Sequence, residues 1–529
     1  MALGPPLAEL VFTVLVPLYR TDSGHLTEMV RSVQSQTEPS WELVLVDDGS
    51  KSPELTAALA EMAAGDARIR VETLTVNVGI AGASAHGLSV ARGEFIALLD
   101  HDDQLAPNAL ERVHQAIMEH PAADVLYSDE DQVHEGVRGA RFSKPEFSPE
   151  RLRGQMYLGH LVVYRRTLLR DVGGFRSGFD GSQDYDLALR VTECAREVVH
   201  VPEVLYHWRI HPGSVSHRPD NAQVFARARA ALEGHLQRTG REAVVEQVHP
   251  IGVYRIRRSL REHPLVSIVV PTRGSSSVVR GERRVLVVEA LRSVFERTTY
   301  PDFEVVVVAD RATPPEVLEE LRGLSRSRVR MLEHRGPFNY SEQVNNGVHQ
   351  ARGDVLVTLN DDTEVVTPEW LTTMVGLMEP DVGMVGAKLL FEDDSIQHLG
   401  LYVGGGHVAH IAAGEPADST GPSAGYLVDR EVTGVTGACA LFSRAVFEEV
   451  GGLSRSLPVN FNDVDFSLKI RATGRRVLVT PHAVLYHYES RSRLRRVELS
   501  EASTLRSRWW HELARDRYWR VEIPGEQQN

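Results

Sequence analysis

Short apolar runs that close on polar residues punctuate the chain. TVLVPLY, WELVLVDD and EFIALLD are each rich in β-branched or aliphatic residues. Such runs suit buried strands of a parallel sheet, which are covered on both faces and lose the apolar–polar alternation of a half-exposed strand. Stretches of helical periodicity lie between them, such as 26–35 and 53–63. Strands alternating with helices predict an α/β fold. In open α/β sheets, ligands bind beyond the carboxyl ends of the strands. The residues of interest are therefore Pro17 to Arg20, Asp47 to Ser50 and Asp100 to Asp103.

The pattern occurs twice. FTVLVPLYR (12–20) returns as VSIVVPTRG (266–274), and ARGEFIALLDHDD (91–103) as ARGDVLVTLNDDT (351–363). DVGGF, QDYDLALR and VLYHW return in the same order as EVGGL, NDVDFSLK and VLYHY. The offset grows along the chain, which places an insertion in the second copy within 388–430. A tandem duplication of one α/β fold follows, with domains expected at 1–255 and 256–529. The second copy offers Pro271 to Gly274, Asp310, and Asn360 to Thr363 at its strand ends.

Composition narrows the function. The 529 residues are 42% hydrophobic and 25% charged, as in an ordinary globular protein. Acids outnumber bases 72 to 58, a net charge of −14, which argues against a nucleic-acid partner. No run approaches the ~18 apolar residues of a membrane span. The amino-terminal stretch lacks a basic n-region and does not read as a signal peptide. With two cysteines there is no disulfide framework, and a cytoplasmic location is expected.

The strand-end acids carry the candidate chemistry. Asp47 and Asp48 could accept hydrogen bonds from a base or a ribose, or could cap the helix after Pro53. Asp100, Asp102 and Asp103 crowd one strand end, where clustered carboxylates repel unless a cation sits among them; Mg²⁺ or Mn²⁺ suits such oxygen ligands. The alternative is a solvated turn. Asp184 falls at the start of a helical pattern, where it could serve as general base or as a cap. His207 can complete a metal shell, and its recurrence as His487 argues against chance. His398, His407 and His410 have no match in the first copy and read as surface or structural residues.

In this order, V-P-x-Y, D-D-G-S, D-x-D-D, G-G-F…Q-D-Y-D-L and Y-H resemble glycosyltransferase family 2, and above all bacterial proteins with two such domains in tandem. The resemblance implies two GT-A domains of Rossmann-like architecture and inverting transfer of sugars to a surface polysaccharide such as an O-antigen. It implies that Pro17, Tyr19, Asp47 and Asp48 bind the nucleotide sugar, with Pro271, Asp310 and Asn360 corresponding. Asp100, Asp102 and His207 would hold Mn²⁺ or Mg²⁺, as would Asp362 and His487. Asp184 and Asp463 would be the catalytic bases. The implied partners are a nucleotide-diphosphate sugar and a saccharide acceptor, expected to be lipid-linked. The second copy departs from the pattern: Ala309-Asp310 replaces Asp47-Asp48, and Asn360 replaces the first acid of D-x-D. In the first, Gln183 stands where many relatives carry an acid.

Residues 491–520 hold nine arginines against four acids, with Leu505, Trp509 and Leu513 at helical spacing. This stretch could rest on an anionic inner membrane or pack against the second domain, and packing is the expectation. Two other readings stay open. The second domain could be a glycan-binding or scaffolding module, or the protein could be a sugar nucleotidyltransferase; the latter usually needs a glycine-rich basic loop, which PLYRTDSGH lacks.

Overall fold

In a computed structural model, residues 10–134, 136–210, 222–249, 252–325, 327–488 and 498–520 are described. The apolar runs form strands. The first half builds a sheet in the order Ile69–Thr73, Trp41–Asp47, Phe12–Leu18, Phe95–Leu98, Val162–Arg165, Ala123–His134, Glu197–Arg209 and Gln104–Leu105. The second half repeats it as Val329–His334, Phe303–Asp310, Val266–Thr272, Val355–Leu359, Cys439–Ser443, Val382–Leu390, Arg476–His487 and Thr363–Val365. The first four strands of each are parallel. The remainder is mixed: Val162–Arg165 and Cys439–Ser443 run antiparallel to both neighbours. The three apolar runs read as parallel strands all lie in the parallel half. A fully buried antiparallel strand carries the same apolar signature as a parallel one.

Helices cover the sheets. Ser23–Gln34 and Pro53–Gly65 lie where the periodicity placed them. Asp22 caps the first through the amides of Gly24 and His25, and Ser52 caps the second, which has a proline in its first turn. One helix in each half lies close against the sheet through a glycine. A Cβ on Gly87 would stand 2.2 Å from Leu15, and one on Gly347 2.4 Å from Val269.

A buried hydrogen-bond clamp is duplicated with the fold. Thr13 Oγ1 donates to Glu42 at 2.7 Å, and Glu42 also accepts the Arg92 amide. Ser267 and Glu304 repeat the arrangement with the Arg352 amide. The Gly93 and Gly353 amides complete it by donating to the Thr13 and Ser267 hydroxyls.

The inserted segment adds the strand Ile396–His398 and the hairpin Leu401–Gly404 with His407–His410. The C-terminal helix Leu499–Trp509 packs on it. Leu505 and Leu513 share a cluster with Leu401, Val403, Val464 and Leu468, and Trp509 Nε1 donates to Asp465 at 2.9 Å. Trp510 stays exposed. Arg491, Arg493, Arg495 and Arg496 of the basic stretch lie outside the described residues. Beyond the helix, Asp516 accepts the Val403 amide, and Arg520 reaches Asp129 in the first half at 3.2 Å.

The halves meet through ion pairs as well. Glu150 is held by Arg153 at 2.6 Å and Arg258 at 2.5 Å, while Arg241 and Arg476 pair with Glu379 and Glu431. Burial alone would raise the Glu150 carboxyl, but Arg258, Arg153 and Arg476 outweigh it and hold the group down at about 2. Among the described residues no helix is long and apolar enough to cross a membrane.

Candidate active sites

In the first half, the strand-end acids have divided their tasks. Asp47 accepts the Ser50 amide at 3.1 Å. Asp48 is buried, and its two oxygens take the Val78 and Gly79 amides at 2.7 and 2.9 Å, at the start of the helix Gly79–Val90. Gly79 has φ +82, and a Cβ there would lie 2.3 Å from Asp180 Oδ1, so the turn that presents its amide requires glycine. Pro17 lies beside Val46 in the strand register, and Tyr19 is exposed under the Arg20 guanidinium.

Asp103 is wholly buried, where it accepts the Tyr206 hydroxyl at 2.6 Å and the Arg209 amide at 2.7 Å. Burial and then the charge of Asp100 push its carboxyl up to about 8. Asp100 and Asp102 are the more accessible pair, with His160 Nε2 3.6 Å from Asp100. His160 also approaches Glu130 at 3.4 Å and stacks on Tyr206. Burial would lower its pKa, but Glu130, Asp100 and Asp103 raise it to about 9, so an imidazolium sits among the acids. Asp184 occupies the first turn of the helix Gln183–Thr192 and accepts the Tyr185 amide at 2.7 Å. Burial raises its pKa, and the charges of His160 and Asp100 act on it from close by. Asp186, two residues on, is taken up by Arg176 and Arg190. His207 has both nitrogens engaged, Nδ1 with Asp131 at 2.6 Å and Nε2 with Arg138 at 2.9 Å.

In the second half, residues far apart in sequence line one cavity of about 290 Å³: Pro271, Asn360, Asp361, Asp362, Asp463 and His487 among them. His487 Nε2 lies 3.1 Å from Asp362 and 3.2 Å from the Asn360 amide nitrogen. Its Nδ1 meets Gln397 Oε1 at 2.6 Å, where His207 has Asp131. Asp463 accepts the Gly437 amide at 3.1 Å and the Val464 amide at 2.8 Å. Asp361 accepts the Thr272 hydroxyl at 2.6 Å, and burial followed by the neighbouring Asp362 raises it to about 7. Asp310 is apart from this cavity; it accepts the Ala312 amide within its own turn.

Residue patterns gave no role to Glu130, His160, Gln397 or His410. Glu130 and His160 do fall within the YSDED and GHLVVYRR stretches that carry the resemblance. Gln397 and His410 belong to the insertion, which has no counterpart to compare. His410, expected to be a surface or structural residue, lines the second cavity. Among the described residues, no three His, Cys, Asp or Glu side chains are gathered into a ligand set of their own.

Comparison with known proteins finds family sequence in both halves. Residues 13–173 match the family described as glycosyl transferase family 2, and residues 263–511 match glycosyltransferase like family 2. An uncharacterized protein, y4gI, of Sinorhizobium fredii is 41% identical over 93% of this chain and 55% of its own length. The O-antigen biosynthesis protein RfbC of Myxococcus xanthus is 37% identical over 91% of this chain and 38% of its own. The chain thus spans about half, or less, of these relatives. A structure of S. aureus TarS in complex with UDP-GlcNAc shows a partial likeness, at 25% identity over 42% of this chain and 65% of that one, with a TM-score of 0.36.

Proposed function

Because the chain belongs to glycosyltransferase family 2, with a stretch of family sequence in each half, we propose that each half transfers a sugar from a nucleoside-diphosphate donor to a growing bacterial surface glycan. The two units are assigned to residues 1–255 and 256–529. The observation that carries the reading is the second cavity, where Asn360, Asp362, His487 and Asp463 converge from separate segments at the strand ends. The name of the Myxococcus relative supports a surface-polysaccharide acceptor.

The transfer is a single displacement with inversion. The Asp184 or Asp463 carboxylate takes the proton of the acceptor hydroxyl as its oxygen attacks the anomeric carbon, and the nucleoside diphosphate departs. Burial of Asp184 makes it a stronger base than an exposed carboxylate. Asp48 and Asp310, at matching strand ends, are assigned to the nucleotide side together with Asp47, Pro17, Tyr19 and Pro271.

The donor set of the second half fits a hard divalent cation. Mg²⁺ and Mn²⁺ sites are commonly made of one or two protein oxygens completed by substrate phosphates, so the set need not be closed by protein alone. Asp362 and His487 would hold the ion there, with Asn360 beside them, and Asp100 and Asp102 in the first half. His207, already engaged at both nitrogens, would have to exchange Arg138 to join them. When bound, the cation supplies charge neutralisation for the diphosphate leaving group.

The acceptor is assigned as lipid-linked. The exposed Arg506 and Trp510 of the C-terminal helix support a peripheral contact with an anionic inner leaflet.

The test uses the full chain with a panel of nucleotide sugars. Nucleoside-diphosphate release is expected with Mn²⁺ or Mg²⁺ and not after chelation. Asp184→Asn and Asp463→Asn should each remove one sugar from the product and spare the other. Unchanged product in both variants would refute two working sites. Replacement of an acid by Asn360 favours a second reading, in which the first half alone is catalytic; full activity in Asp463→Asn would select it.

A further inference from the structure

The insertion of the second half places a histidine pair at the edge of the cavity. His398 Nδ1 lies 2.8 Å from His410 Nδ1. On its other side, His398 Nε2 accepts the backbone amides of Gly400 and Thr436, both at 3.3 Å. A nitrogen that accepts two N–H groups carries no proton, so the single proton of neutral His398 is on Nδ1. His398 is fully buried, and burial, His410 and Arg430 all disfavour its charged form. His398 therefore donates to His410 Nδ1. That nitrogen must be the acceptor, which leaves the His410 proton on Nε2. The chain of bonds fixes one tautomer of an imidazole that lines the cavity.

Location gives this donor a purpose. Thr436, whose amide holds His398, is followed by Gly437, whose amide holds Asp463. Gln397, which precedes His398, holds His487. His410 thus shares one cavity with the side chains assigned to the diphosphate, Asp362 and His487, and with Asp463, the one assigned to the attacking hydroxyl. In the first half the imidazole near the corresponding acids is His160, which comes from a different segment and approaches Glu130 rather than a second histidine.

We propose that His410 is a sugar-positioning residue of the second site, oriented by His398, and that through it the insertion gives the second half a donor-sugar preference different from the first. This rests on the glycosyltransferase reading. One neutral N–H donor suits a sugar hydroxyl, which accepts such a bond without a charge having to be buried.

Calorimetric titration of the full chain with Mn²⁺ tests it, comparing UDP, GDP and dTDP with UDP-glucose, GDP-mannose and dTDP-rhamnose. The binding class lost in Asp362→Ala identifies the second site. At that site His410→Phe is expected to weaken the preferred nucleotide sugar about five-fold, the size of one hydrogen bond, with the bare diphosphate unchanged. His410→Gln, which keeps an N–H donor, should restore most of the loss, and His398→Leu should behave like His410→Phe. Equal loss for bare and sugar-bearing ligands, or no loss for either, would overturn the assignment while leaving the glycosyltransferase reading intact. No nucleotide binding by the unaltered chain would overturn both.

Discussion

Carboxylates of similar sequence setting take different chemical states here, because their neighbours differ. Asp48 spends both oxygens on amides at a helix start, whereas Asp310 serves its own turn. Asp103 is raised by burial, whereas Asp186 is bound by two arginines. Asp184 is the acid whose shift has a kinetic consequence. Its pKa lies above the ordinary 3.8, so the base form is lost at a higher pH than for an exposed aspartate. With Asp463→Asn isolating the first site, transfer should fall on acidification through an apparent pKa above 3.8, measured as kcat against pH. Asp184→Asn should lower kcat at that site by about 10²–10⁴, the usual contribution of a general base. A flat acid limb would remove Asp184 from the role. The acids themselves could be read from the sequence. Which oxygen remained accessible could not, since Val78, Tyr206 and Arg209 are distant in the chain from the carboxylates they engage.

At the scale of elements, the duplicated clamp shows how the strand ends are held. Glu42 and Glu304 each tie two parallel strands to the loop that leads into a third. Glu304→Ala leaves the Ser267 hydroxyl and the Arg352 amide without their partner, and should cost about 1–3 kcal/mol. Glu42→Ala should cost a similar amount in the first half. Urea unfolding checks both, and no change in midpoint would deny the clamp a structural role. The C-terminal helix offers a second case. Leu505 is buried against the inserted hairpin, so Leu505→Ala should cost about 2–5 kcal/mol, read from the same unfolding curves. The helical spacing of Leu505, Trp509 and Leu513 is visible in the sequence. That the stripe meets the hairpin depended on the position of a segment about a hundred residues earlier in the chain.

For the whole molecule, the ion pairs around Glu150 decide how the halves hold together. Its pKa falls from 4.5 to about 2 on folding, so its ionised form contributes stability above about 4.5 that is lost as pH drops through about 2. Glu150→Gln leaves Arg153 and Arg258 with Glu379 as their remaining counterion and should destabilise the chain near neutral pH by less than the ~3–5 kcal/mol of a wholly unpaired buried charge. The difference between the two proteins should shrink as pH is lowered from 4.5 toward 2, measured by thermal unfolding. A difference that stayed constant across that range would mean that charge is not what Glu150 contributes.

The sequence alone determined the α/β class, the duplication, the place of the insertion and the acids at the strand ends. These depend on local periodicity and on order along the chain, which each copy repeats. The tertiary structure decided the mixed direction of the outer strands, the withdrawal of Asp103 from the accessible acids, the separation of Asp310 from the second cavity, and the packing of the C-terminal helix. It also decided that His410, without a counterpart in the first half, lies at the second cavity. Each of these depends on partners brought together only by folding, such as Gln397 with His487 or His398 with Thr436. A side chain's protonation and direction follow from those partners, and sequence spacing carries no record of them.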